Sequence, residues 1–124
     1  MIYEMRTDRF HAGVHADEFE RKFGELISDR DCFSVHGAFW KVIIGPINQV
    51  MHIWPYESIQ NREQVRSAVH KDGKWPPENV QGMASLDVDI LTPAPFMRPW
   101  GQIQQLGNIY EVRTYDLKAG CISE

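Results

Sequence analysis

NQVMHIWPYESIQNREQVR, residues 48–66, holds a strand, a turn and the start of a helix in one run. Val50 to Tyr56 is β-branched and aromatic, the composition that fits a pleated, half-buried surface. Period-two alternation puts Val50, His52, Trp54 and Tyr56 on one face, with Met51, Ile53 and Pro55 on the other. Pro55 has no N–H to give a neighbouring strand, so it belongs at the strand's end or on an unpaired edge. Ser58 stands where a helix N-cap belongs, and IQNREQVRSAVHKD continues with few breakers. On a helical wheel Ile59, Val65 and Val69 mark the inward arc, and Arg62 falls between them with Arg66 one turn on. A guanidinium on a buried stripe requires an anion, because an unpaired buried charge costs several kcal/mol. That anion is either a carboxylate of the chain (Glu57, Glu63 or a strand acid) or a group on a ligand.

Outward from this run the chain alternates between strand and helix periods. Residues 2–9 read as a strand, with Tyr3, Met5 and Thr7 on one face and Ile2, Glu4 and Arg6 on the other. After a turn at His11–Gly13, Phe19, Phe23, Leu26 and Ile27 recur at helical spacing between Ala16 and Ser28. Cys32 to Ile44 reads as a long strand bent near Gly37 and joined to the next by a Gly45–Asn48 turn. Lys71 to Gly82 is a loop with Trp75 in its middle, either an anchor over the core or the wall of a pocket. Ser85 to Leu91 alternates strictly, with Leu86, Val88 and Ile90 toward the helices. The order β-α-β-β-α-β predicts an α+β, ferredoxin-like domain.

IYEMRTDRFHAG at 2–13 returns as IYEVRTYDLKAG at 109–120, with Ile, Tyr, Glu, Arg, Thr, Ala and Gly in register. A repeat of this length is a domain duplication. The expected organisation is a domain over 1–97, a proline- and glycine-containing linker over 98–108, and the first strand of a truncated second repeat over 109–124.

Charge and composition exclude several function classes. At 124 residues with 43% hydrophobic and 24% charged side chains, the chain can bury a core without staples. A net charge of −4 and the lack of a basic run argue against a nucleic-acid surface. No apolar run approaches the roughly 20 residues of a membrane span, and residues 1–10 resemble neither a signal nor a transit peptide. Cys32 and Cys121 are isolated and match no metal spacing, so a reducing, cytoplasmic setting is expected. His11 and His15 have a metal pair's spacing but span a glycine turn with no third ligand nearby, so no metal or other cofactor is expected. No phosphate-binding glycine loop or nucleophile elbow is present.

IYEMRT, GPINQVMHIWPYES, the R-x-x-x-R pair at 62 and 66, Asp72 followed by Trp75, and ILTPAPF together resemble the NIPSNAP family over residues 2–97. His11-Ala12 replaces the Lys-Pro pattern before Gly13, whereas the second copy keeps Lys118, and an extra residue or two stands near Lys74. The resemblance implies ferredoxin-like domains whose sheets pack face to face as a dimeric α+β barrel. It brings no established reaction; animal members are mitochondrial and were linked to vesicle traffic. The wider barrel superfamily includes cofactor-free monooxygenases, haem-degrading enzymes and chlorite dismutase-like proteins, and fold alone transfers no chemistry.

Residue types converge in one place. Trp54, Tyr56, Arg62, Arg66, Trp75, Glu4 and Arg6 are the candidate ligand-binding residues, and His52 the candidate acid/base. As a core histidine bonded to a neighbour, His52 needs no catalytic role. The expected product is a homodimeric module for a small organic ligand, or alternatively a cofactor-independent oxygenase or isomerase acting on an aromatic or quinol-like compound.

Overall fold

A computed structural model describes residues 1–77, 81–99 and 107–120. The elements are β1 (Ile2–Phe10), α1 (His15–Asp31), β2 (Ala38–Lys41), β3 (Gln49–Tyr56), α2 (Ile59–Asp72) and β4 (Met83–Leu91). The strands form one antiparallel sheet in the order β2-β3-β1-β4, the ferredoxin-like arrangement that the element order predicts. Ser58 caps α2 by accepting the Asn61 N–H at 3.1 Å. Gly73, in the left-handed region at φ 78°, ends it.

Register fixes the two faces of the sheet. Glu4 lies opposite Trp54 and Ile90, Arg6 opposite His52 and Val88, and Asp8 opposite Val50 and Leu86. Residues that pair across strands share a face, so all of these point toward the helices. Phe10, Phe19, Phe23, Val50, Trp54 and Tyr56 bury themselves there, with Phe39, Val65 and Trp75 partly buried beside them. Each large side chain removed from water contributes roughly 1.5–3 kcal/mol. The helices rest on β1 and β3. Val69 is the one buried residue of α2, and Leu86, Val88 and Ile90 of β4 stay 42–43% exposed. A gap therefore opens between α2 and β4.

Three expectations change. The strand predicted over Cys32–Ile44 shrinks to Ala38–Lys41, and α1 runs on to Asp31. Asp31 holds the intervening turn by accepting the His36 backbone N–H at 2.9 Å and facing its ring Nδ1 at 2.8 Å. Lys41 already faces Val50, and Asn48 at φ 60° turns the chain, so Ile43 and Ile44 have no strand opposite them. Ile59, placed on the inward arc of α2, is 48% exposed, while Val65 and Val69 do turn inward.

Residues 109–118 carry no strand. Their counterpart β1 is paired on both sides, by β3 and β4. Instead this segment lies against the sheet face away from the helices. Tyr110 packs on Trp40 at 5.7 Å, and Thr114 shares a groove with Met5, Thr7 and Met51. Most of the predicted linker and Cys121 lie outside the described residues; Cys32 is free and exposed. Among the described residues no helix is long and apolar enough to cross a membrane.

Candidate functional site

The gap between α2 and β4 is a cavity of about 330 Å³. Its floor is the helix-side face of β1 and β3, its walls α1 and α2, and the loop at Trp75–Pro77 closes one end. Glu4, Arg6, His52, Trp54, Tyr56, Arg66 and Trp75, all predicted from the sequence as site residues, line it. Trp75 is both anchor and wall, packing its ring on Phe23 at 4.9 Å and on Trp54 at 5.8 Å.

Arg62 does not line the cavity; it is committed to an ion pair. Its Nε is hydrogen bonded to Glu4 Oε2 and its Nη1 to Glu63. Glu4 is fully buried, and Arg6 and Arg66 also approach it, at 3.3 and 3.5 Å. The anion that the buried arginine requires is thus a strand acid. Burial works against the Arg62 charge, but Glu4 and Glu63 more than offset it and its pKa lies above the usual arginine value. Arg66, with a side chain 43% exposed and a looser contact to Glu4, keeps donors available.

Two buried ionisable residues of the cavity were missed from sequence. Arg30, 4% exposed, donates to Tyr56 Oη at 3.0 Å and to the Ser34 carbonyl at 3.2 Å. Its guanidinium also stacks 4.2 Å from the Trp54 ring centre, a cation–π contact. Burial lowers the Arg30 pKa, against the opposing pull of Tyr56, Asp31 and Glu4. Burial likewise raises that of Tyr56, which Arg30 only partly counters. The signal for Arg30 was helical spacing from Phe19, Phe23 and Ile27, hidden because the helix was ended at Ser28.

Asp8 is the second, and the continued alternation Glu4, Arg6, Asp8 was its signal. Asp8 Oδ2 lies 3.1 Å from His52 Nε2, and both side chains are 4% exposed. Trp54 Nε1 donates to His52 Nδ1 at 2.7 Å. An indole N–H can only donate, so Nδ1 carries the lone pair and Nε2–H donates to Asp8. Both nitrogens of His52 are engaged, and no lone pair is left for a substrate proton. The geometry is that of a core histidine bonded to its neighbours, one of the two roles its position offers. Asp8 Oδ1, by contrast, is buried without a partner among the described residues, as is the Nε of Arg6. Such an atom costs about 1–3 kcal/mol, more when charged, and calls for an explanation. Among the described residues no group of His, Cys, Asp or Glu converges as metal ligands would.

Fold and cavity define a class: a ferredoxin-like α+β domain with an arginine-rich pocket between its sheet and its helices. The NIPSNAP family model matches residues 3–98, and the chain belongs to the NIPSNAP family. It is 30% identical over 96% of its length to protein NipSnap homolog 3B of Mus musculus, and spans 49% of that relative. The chain thus spans about half the length of the curated relatives it matches. A NIPSNAP domain protein from Burkholderia xenovorans superposes with a TM-score of 0.72 at 25% identity, covering 80% of this chain and 100% of that one. Two more distant structures, each 13% identical, share the fold alone. They are a dimeric ferredoxin-like protein from an uncultured marine organism (TM-score 0.61; 79% of this chain, 92% of that one) and an antibiotic biosynthesis monooxygenase (0.58; 77% and 100%).

Proposed function

We propose that this domain binds a small organic acid in the cavity between sheet and helices, with the carboxylate at Arg66 and the body against Trp54, Tyr56 and Trp75. The observation that carries this reading is the charge inventory of the lining. Guanidinium groups of Arg6, Arg30 and Arg66 line the cavity against the carboxylates of Glu4 and Asp8, and Arg62 already serves Glu4. Among the described residues Arg30 has only neutral hydrogen-bond partners. A ligand anion balances this surplus, and the aromatic wall suits an unsaturated or aromatic body.

The same reading includes a homodimer formed through the sheet face away from the helices, where Met5, Met51 and Trp40 are only half-buried. The dimeric state of one structural neighbour supports it. It keeps the reducing, cytoplasmic setting inferred from cysteine usage. A second reading, a cofactor-independent oxygenase or isomerase, loses His52 as its acid/base but gains Asp8, whose free oxygen favours proton transfer over simple binding.

The test is calorimetric titration of a panel of small aromatic and unsaturated acids beside their amides. The acids should bind, the amides should bind about tenfold or more weakly, and Arg66→Ala should erase the difference. Equal affinity for acid and amide, or no binding by any acid, would overturn the proposal.

A further inference from the structure

We infer that Asp8 is the base of a proton-transfer site in this cavity, acting on a small oxo acid whose carbon next to the ketone carries hydrogen. The inference rests on the cavity being a binding site for organic acids. Among the described residues, two buried groups on neighbouring same-face positions of β1 lack partners: the Arg6 Nε–H, a donor, and Asp8 Oδ1, an acceptor. One molecule satisfies both if it presents an oxygen to Arg6 and a transferable hydrogen to Asp8. An enolisable ketone does so, and its carboxylate answers the remaining guanidinium charge.

The surroundings fit that task. His52 Nε2–H holds Asp8 Oδ2 at 3.1 Å and is itself fixed by Trp54 at 2.7 Å. The carboxylate is thereby oriented with one oxygen left free. His52 is accordingly a positioning residue. The internal repeat adds an independent observation. Glu4 and Arg6 return as Glu111 and Arg113, again bonded to each other, whereas Asp8 is replaced by Tyr115. The acid at this position is not part of the pattern the two copies share.

In the step, Asp8 Oδ1 takes a proton from the carbon beside the ketone. The C–H electron pair becomes the carbon–carbon double bond, and the carbonyl π pair moves onto the oxygen that Arg6 Nε–H faces. The protonated Asp8 then trades its proton with solvent and delivers a solvent hydron to the same carbon, giving exchange. Returned to another carbon of a conjugated chain, it gives isomerisation. No oxidant or reductant enters, and Asp8 is regenerated.

The experiment follows the C3 hydrogens of 2-oxobutanoate and phenylpyruvate by proton NMR in D2O, with binding read by calorimetry on the same samples. The full chain should speed exchange by roughly 100-fold over buffer. Asp8→Asn should bring exchange to the buffer rate without weakening binding. His52→Gln should lower the maximal rate while the calorimetric binding stoichiometry and affinity stay those of the unaltered chain, a combination that loss of fold alone does not produce. Binding without exchange in the unaltered chain, which needs no variant to fold, overturns this inference and leaves the binding reading intact. Exchange that survives in Asp8→Asn also overturns it. If neither acid binds, the inference falls with the reading beneath it.

Discussion

Glu4 and Arg62, separated by most of the domain in sequence, are joined by a hydrogen bond from Arg62 Nε to a carboxylate with 1% side-chain exposure. The pair ties α2 to the central strand, which matters because α2 buries only Val69 by itself. Glu4 is shared by Arg6, Arg62 and Arg66, whereas Arg62 also has Glu63.

That sharing predicts an asymmetry. Glu4→Leu strands several guanidinium groups and should cost about 3–5 kcal/mol, whereas Arg62→Ala leaves Glu4 two arginines and should cost less, about 1–3 kcal/mol. Urea melts of both variants measure the order. A costlier Arg62→Ala would mean that Arg6 and Arg66 do little for Glu4.

The chain Trp54, His52, Asp8 predicts coupling. His52→Gln and Trp54→Phe each break the bond between indole and imidazole, so their effects should fall short of additivity by about 0.5–3 kcal/mol in a double-mutant cycle. Strict additivity would show the 2.7 Å contact to be energetically idle.

Tyr56 predicts an alkaline weakness. Its pKa is raised above 10.0 by burial, so above that pH the unfolded chain ionises while the folded one holds its proton. The folded state then binds more protons than the unfolded, and stability falls as pH rises toward the folded value. Tyr56→Phe should flatten this part of the stability profile between pH 9 and 11, about the range where a free tyrosine titrates. An unchanged slope in chemical denaturation would place the loss elsewhere.

Oligomeric state is read by light scattering at micromolar concentration. A mass near twice 14.4 kDa is expected. Met51→Glu, on the sheet face away from the helices, should give the monomer with both helices intact by circular dichroism. A dimer unaffected by Met51→Glu would move the interface off the sheet.

Much of this was legible in local pattern. Alternation along β1, β3 and β4 assigned each side chain to a face, and the helix periods gave the two layers, because backbone geometry alone sets those repeats. The sequence also put Glu4 with Arg6 on one face of β1 and His52, Trp54 and Tyr56 on one face of β3, whereas the strand register made these one face beneath the helices. Where β2 stops was not legible: Ile43 and Ile44 suit a strand, but a strand exists only where another lies opposite. The partner of Arg62 was likewise a choice among several acids, and contact across the domain selected Glu4. Tertiary structure alone decided the hydrogen-bond partners of His52 and Asp8. Hydrogen-bonding capacity is used up by whatever stands within about 3 Å, and only the packed fold sets Trp54 against one side of the imidazole and Asp8 against the other.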